Sequence, residues 1–274
     1  EELPRILKEA FYIARSGRPG PVHIDLPKDV SATVGDFVYP KEISLKTYKP
    51  TYKGNMRQIK KVAAAIKEAE KPIFYLGGGI VSSGASAEVR ELVKMTQIPA
   101  LETLMARGTL DHNDPLLLGM VGMHGTYAAN MAMSESDLII ALGSRFDDRV
   151  TGKLSEFGKY AKIVHIDIDP SSIGKLVNIH FPIVGDIKNV VEELKNALQD
   201  NINTEHYKHW RGLLKRYSEV HPLKFHDSQE VIKPQWVIQE IGRLFGEGAN
   251  ITTDVGQHQM WSAQFFPFSR ARQF

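Results

Sequence analysis

The densest chemistry in this 274-residue chain is the run Arg145-Phe146-Asp147-Asp148-Arg149-Val150, which sets two guanidinium groups and two carboxylates directly behind an apolar segment and Gly143-Ser144. Arginine offers a planar fork of donors that suits phosphate oxygens. The run can therefore hold a phosphate, or it can neutralise itself as a surface ion-pair cluster. Gly77-Gly78-Gly79 follows another apolar segment. Three glycines let a backbone approach a ligand closely and aim N–H groups at an anion, and a tight turn uses them equally well. Their spacing is not that of a dinucleotide fingerprint. Gly79 and Gly84 are spaced as in an ATP-binding loop, but Ala85 stands where the lysine of that loop is required, which excludes such an ATPase. Met120 to Tyr127 leads into a helical pattern and puts Met123 and His124 at an expected pocket mouth. A methionine there can lie against a flat ring system or fill a core. Asp167 and Asp186 each close a late apolar run, where a carboxylate can accept from a ribose or adenine or cap the next helix.

These residues need a scaffold that gathers strand ends, and the pattern of the chain predicts one. A first helix (Leu3, Ile6, Leu7, Ala10, Phe11, Ala14) should stop at Gly17, before Pro19 and Pro21, and a strand is expected over Val22 to Leu26. An exposed, Lys- and Pro-rich linker then runs to about Gly54. From Ile59 onward helices and strands alternate: helix 59–69, strand 73–76, helix 87–95, strand 100–103, helix 127–133, strands 138–142, 163–168 and 183–184, helix 187–198. Alternation of this kind predicts an α/β fold with a doubly wound, mainly parallel sheet, whose ligands bind at the carboxyl ends of the strands. A polar stretch, 199–205, and a helix from His206 to Tyr217 lead to Pro234, a helix 235–244 and a strand at Ile251, read as the opening of a further domain. The chain opens on a helical pattern without Met and stops twenty residues after that strand, so both ends are expected to be cuts from a longer polypeptide.

Composition narrows the partners. Net charge is +2, giving no cationic field for nucleic acid or anionic lipid. Cysteine is absent, which removes disulfides and thiolate chemistry, and no apolar run approaches the length of a membrane helix, so a cytoplasmic location is expected. His206 and His209 lack the further ligand a zinc site needs, so no metal ligands are assigned, and neither a hydrolase elbow nor a kinase signature occurs.

With these residues in view, the chain resembles the acetolactate synthase family, the FAD-containing branch of the thiamine-diphosphate enzymes. SGRPGPVHIDLPKDV (Ser16 to Val30) is similar to a string found across that superfamily. GMHGTYAAN (Gly122 to Asn130) together with RFDDRVTG (Arg145 to Gly152) resembles the biosynthetic synthases, and TDVGQHQMW (Thr253 to Trp261) resembles the start of their diphosphate-binding domain. The resemblance implies a pyrimidine-binding end over 1–40, a linker over 41–54, a central FAD-binding domain over 55–200, a helix-bearing linker over 201–232 and a truncated diphosphate-binding domain over 233–274. It implies that FAD is lined by Arg18, Gly77, Gly78, Gly79, Thr103, Leu104, Met123, His124, Gly143, Ser144, Arg145, Asp147, Arg149 and Val150. Asp167, Ile168, Asp186 and Ile187 would meet its adenosine end, Gln257 and His258 would reach thiamine diphosphate, and Lys28 would stand at the substrate channel.

The family's catalytic glutamate and its Mg²⁺-binding motif are expected outside Glu1 to Phe274, so no catalytic residue is assigned within the chain and the chain alone is expected to be inactive. The resemblance also implies a homodimer or tetramer of large subunits, with a small regulatory subunit as a further partner. Competing readings are a related carboligase or oxidase, a free-standing nucleotide-binding module, and an NAD-dependent dehydrogenase in which Glu102 would read the ribose.

Overall fold

The computed structural model describes residues 2–199 and 202–274, so Asp200 and Asn201 of the expected polar stretch, and Glu1, lie outside the described residues. The chain divides into two compact units, 1–52 and 53–274.

In the first unit, helix α1 (Leu3–Arg15) ends where Gly17 takes a left-handed φ of +58°, as the glycine and prolines predict. The Tyr48 hydroxyl donates to the Ser16 carbonyl at 2.8 Å, and the rings of Tyr12 and Tyr48 meet edge to face. A short helix α2 (Lys28–Ala32) begins inside the stretch expected as linker. The strand expected over 22–26 does not form. Its β-branched residues favour extended chain, but a strand exists only where a neighbour completes its hydrogen-bond ladder.

The second unit is built on six parallel strands, in chain order β1 (Pro72–Leu76), β2 (Ala100–Glu102), β3 (Leu117–Met120), β4 (Leu138–Leu142), β5 (Lys162–Asp167) and β6 (Phe181–Val184). Their spatial order is β3-β2-β1-β4-β5-β6, the doubly wound arrangement in which the direction of winding reverses between β1 and β4. Alternation within the strands explains the two layers. Phe74, Leu76, Ile140, Leu142, Val164 and Ile166 face one core, shared with helices α3 (Met56–Glu68), α4 (Gly78–Ser83), α5 (Ser86–Thr96) and α8 (Ile187–Leu198). Ile73, Tyr75, Ile139, Ala141 and Ile163 face the other, against α6 (Tyr127–Glu135) and α9 (Lys208–Val220). With both faces covered, β1 and β4 are buried throughout, which is why they read as continuous apolar runs.

The helices start where side chains replace missing backbone partners. Asn55 accepts from the Arg57 and Gln58 amides, Thr126 from Ala129, and Asp186 from Lys188 and Asn189. A further short helix, α7 (Asp148–Thr151), follows β4, and α10 (Pro234–Phe245) and α11 (Gln257–Phe265) close the chain.

The strand expected at Ile251 is not formed. Residues 251–253 are irregular, with the Ile251 amide donating to the Gln273 carbonyl at 2.7 Å, because among the described residues no strand lies beside them to build a ladder. Among the described residues no helix is long and apolar enough to cross a membrane.

Candidate functional site

The carboxyl rim of the sheet collects most of the sequence-identified residues of the second unit. Each strand-end loop is tied to its neighbour: the Gly77 amide donates to the Leu142 carbonyl at 2.9 Å, Gly143 to Ile166 at 2.8 Å, Gly185 to Asp167 at 3.0 Å and Thr103 to Leu76 at 2.9 Å. Gly77, Thr103, Gly143, Asp167 and Asp186 therefore share one edge, as alternating strands and helices predict.

At the reversal between β1 and β4 the two glycine loops touch. The Gly79 amide donates to the Gly143 carbonyl at 3.0 Å, and a Cβ on Gly79 would lie 2.6 Å from the Gly143 Cα. The glycines at 77 and 79 thus serve first to let one backbone lie on another. A Cβ on Gly78 would instead meet Met105, whose side chain is largely exposed on the rim.

Beyond β4 the chain alternates inward and outward. Ser144 and Phe146 are buried, whereas Arg145 and Asp147 are 62% and 43% exposed and pair at 3.0 Å. Asp147 also accepts from the Arg149 amide at 3.2 Å, capping α7, and its carboxyl is held below the usual range first by a hydrogen bond with the Asp148 side chain, then by that amide and the two arginines. The pairing expected from spacing is present, but it leaves both arginines open to solvent.

Phe146 adopts φ +55°, in the left-handed region, where a bulky residue is strained by about 1–3 kcal/mol. Its ring sits among those of Tyr75, Phe157 and His165 at 5.6, 5.8 and 5.0 Å. Full burial contributes about 1.5–3 kcal/mol, and each aromatic pair about 0.5–1.5 kcal/mol more, so packing outweighs the strain. Burial pushes the Tyr75 phenol up to about 12 and the His165 imidazole down to about 4, so both are neutral at pH 7.

Met123 and His124 lie exposed on the loop after β3, beside α7, where the Met123 amide donates to the Arg149 carbonyl at 3.0 Å. Gly122 has φ +105°, and a Cβ there would stand 2.6 Å from the same Arg149 carbonyl. Asn130 clamps Gly122 through both its amide and its carbonyl. The Gln264 side chain of α11 donates to the His124 carbonyl at 2.9 Å.

At the far side, Asp167 accepts from the Asp169 amide at 2.9 Å to form a turn, and its other oxygen lies 3.9 Å from the His165 Nε2. Asp186 caps α8, and Ile187 is buried in the core under that helix. Gln257 and His258 open α11 and are exposed. Arg18 and Lys28 belong to the first unit.

Glu102 ends β2, where an acidic residue can read a ribose. Instead it is fully buried, accepting from Arg107 Nη1 at 2.9 Å and the Leu110 amide at 3.0 Å. A carboxylate so occupied reads no nucleotide, and the dehydrogenase reading loses its support. Burial raises Glu102 to about 7 against the opposing pull of Arg107.

The sequence pattern described as "Thiamine pyrophosphate enzyme, central domain" matches residues 59–194. An "Acetolactate synthase" from Mycobacterium bovis is 44% identical over 275 residues, covering 99% of this chain and 44% of that protein. An "Acetolactate synthase large subunit" from Buchnera aphidicola subsp. Schizaphis graminum is 42% identical over 276 residues (100% and 48%), and the "Acetolactate synthase isozyme 3 large subunit" of Escherichia coli is 40% identical over 279 (100% and 49%). Residues 59–194 are a thiamine pyrophosphate enzyme central domain, and the chain is similar along its whole length to acetolactate synthases. It spans about half the length of the curated relatives it matches. The matched pattern covers all six strands, and so every loop of the rim in this acetolactate synthase relative.

The aromatic anchor at Phe146 and the pairing of Glu102 with Arg107 were not expected from sequence, where Glu102 stood only as the ribose reader of the dehydrogenase alternative. An apolar residue inside an otherwise charged run is the one signal for the first. For the second, an acid and a base five residues apart in a loop give no periodic cue.

Proposed function

We propose that this chain supplies the flavin-binding middle of an acetolactate synthase, which condenses pyruvate with a second 2-oxo acid, pyruvate or 2-oxobutyrate, with loss of CO₂ in branched-chain amino-acid biosynthesis. The observation that carries this reading is the rim itself: exposed Arg145, Arg149 and Met123, with exposed Met105 against Gly78, lie on strand-end segments linked by hydrogen bonds. Guanidinium groups suit a pyrophosphate, and methionines suit a flat apolar ring system. FAD has both parts.

Within this reading, Gly77 to Gly79, Thr103, Leu104, Gly143, Ser144 and Val150 line the flavin with Met123, His124, Arg145, Asp147 and Arg149; Arg18 is assigned to FAD by the family resemblance alone. Asp167, Ile168, Asp186 and Ile187 take the adenosine end, where Ile187 serves through its backbone, its side chain being in the core. Gln257 and His258 reach thiamine diphosphate, and Lys28 stands at the substrate channel. When bound with Mg²⁺, thiamine diphosphate supplies the carbanion chemistry that releases CO₂ from a 2-oxo acid. The domain reading is 1–40 pyrimidine-binding, 41–54 linker, 55–200 FAD-binding, 201–232 linker and 233–274 diphosphate-binding, in a cytoplasmic assembly of two or four large subunits with a small regulatory subunit.

Product analysis tests the activity. Full-length protein given pyruvate, thiamine diphosphate, Mg²⁺ and FAD yields acetolactate; oxygen uptake with acetate or acetyl phosphate as product would identify an oxidase instead. Flavin titration tests the rim. Arg145→Ala should weaken FAD binding by about 10- to 100-fold, the equivalent of one charge-assisted contact, and Lys159→Ala should leave it unchanged. Equal dissociation constants for the two variants would remove Arg145 from the groove.

A further inference from the structure

The rim offers its arginines from a loop that also contains a phenylalanine in a conformation phenylalanine rarely adopts. Residues 144 to 147 run buried, exposed, buried, half-buried, so the ring at 146 is the inward anchor between two charges that reach solvent. Gly143, at φ +63°, turns the chain out of β4, and Phe146 turns it back, after which Asp147 can cap α7. The Asp147 carbonyl then accepts from the Val150 and Thr151 amides, both at 2.9 Å, and the Arg149 carbonyl accepts from Met123 on the next loop.

We propose that Phe146 is the positioning residue of the rim. Its ring, seated among Tyr75, Phe157 and His165, fixes residue 146 left-handed, and that single turn sets the directions of Arg145 and Asp147 and, through α7, of Met123. The anionic part and the flat part of the ligand are thus registered to each other by one buried ring that touches neither. The identity of the ligand as a flavin rests on the functional reading above; the anchoring does not. A phenylalanine present only to fill the core would need no left-handed turn, and a charged loop present only for solubility would need no ring.

The test uses the 274-residue chain with two readouts, the FAD dissociation constant from flavin fluorescence and ¹⁵N order parameters at Arg149, Val150 and Thr151. Phe146→Leu keeps an apolar side chain but loses the stacking. It should raise the FAD dissociation constant at least about tenfold and lower the order parameters from a rigid value of about 0.85 towards 0.6. Phe146→Tyr, which keeps the ring, should stay within about threefold of wild type in affinity and retain rigid order parameters. Phe74→Leu, in the core on the opposite face of the sheet, is the control for ordinary core loss: it should lower the melting temperature and move neither readout. Should Phe146→Leu not fold, Phe157→Leu opens the less buried side of the same cage and should give the same two changes at smaller amplitude. Wild-type order parameters in every folded cage variant would overturn the proposal whatever happens to FAD, and equal effects from Phe146→Leu and Phe74→Leu would overturn it too. Failure of the wild-type chain to bind FAD would instead count against the flavin reading, while the order parameters would still decide the anchor.

Discussion

Replacing Arg107 by Met should destabilise the second unit by an amount that depends strongly on pH. Arg107 is 7% exposed and donates to a fully buried carboxylate, Glu102, while its guanidinium lies 5.3 Å from the Phe268 ring centroid. Burial raises Glu102 from 4.5 to about 7, with Arg107 holding it back from rising further. Its folded pKa is thus above its unfolded one, so its contribution to stability is fully present below pH 4.5 and is lost as pH rises through about 7. The difference between those two values corresponds to roughly 3.4 kcal/mol. Without Arg107 the carboxylate has the Leu110 amide but no counter-charge, and a broken buried pair costs about 3–5 kcal/mol. Urea unfolding of Arg107→Met should therefore show a loss of about 3–5 kcal/mol at pH 8, seen thermally as a fall of roughly 6–20 °C. At pH 5 Glu102 is protonated in the folded state and the loss should shrink to about 1–2 kcal/mol, what remains being contact with Phe268. The double variant Glu102→Met/Arg107→Met should recover most of the stability at pH 8, because the buried charge is gone. A loss equal at both pH values, or a double variant no better than the single one, would refute the pairing as the source of the effect.

In that double variant the buried His165 becomes readable: its folded pKa, lowered to about 4, means stability complete above pH 6.5 and falling as pH drops through 4, by on the order of 3 kcal/mol, and His165→Phe should flatten that slope in urea titrations. Gly79→Ala, whose new methyl would meet Gly143, should cost about 1–3 kcal/mol, whereas Gly212→Ala, in helix α9 with open space around it, should gain about 0.5–1 kcal/mol; similar melting temperatures for the two would contradict the close approach of the glycine loops. The 274-residue chain alone should form no acetolactate from pyruvate with thiamine diphosphate, Mg²⁺ and FAD in excess, and turnover at the full-length rate in a host lacking its own synthase would overturn that.

The central strands were legible because burial on both faces leaves a signature in sequence: β1 and β4 read as unbroken apolar runs. The end strand β3 was not. It is short, follows Pro115 closely and contains Gly119, and its register to β2 shifts between Ala100 and Glu102. Helix α11 escaped because its apolar residues do not form one stripe, and α4 and α7 because four to six residues carry too little periodicity. Strands were expected over 22–26 and at 251 from β-branched composition, which local sequence shows, whereas the neighbour a strand requires is a matter of tertiary structure. The rim followed from strand ends alone. Which of its glycines serve backbone packing, and which aromatic ring holds the charged loop, depend on residues roughly 65–70 positions apart coming together.

The order of the strands also sets when the sheet can be completed. β1, one of the two central strands, pairs with β2 within about thirty residues, but its other edge waits for β4, whose Leu138 aligns with Pro72. During synthesis the Pro72–Leu76 segment leaves the ribosome half-paired until Leu142 emerges, and Ile73 and Tyr75 wait longer still for Phe146 and for the Trp210 and Leu214 of α9. Loop closure over such a span is slow compared with helix formation, and an uncovered apolar strand edge invites pairing with another chain. The same connectivity that opens a ligand crevice at the reversal point therefore leaves the second edge of β1 open in a nascent chain from the emergence of residue 76 to that of residue 142.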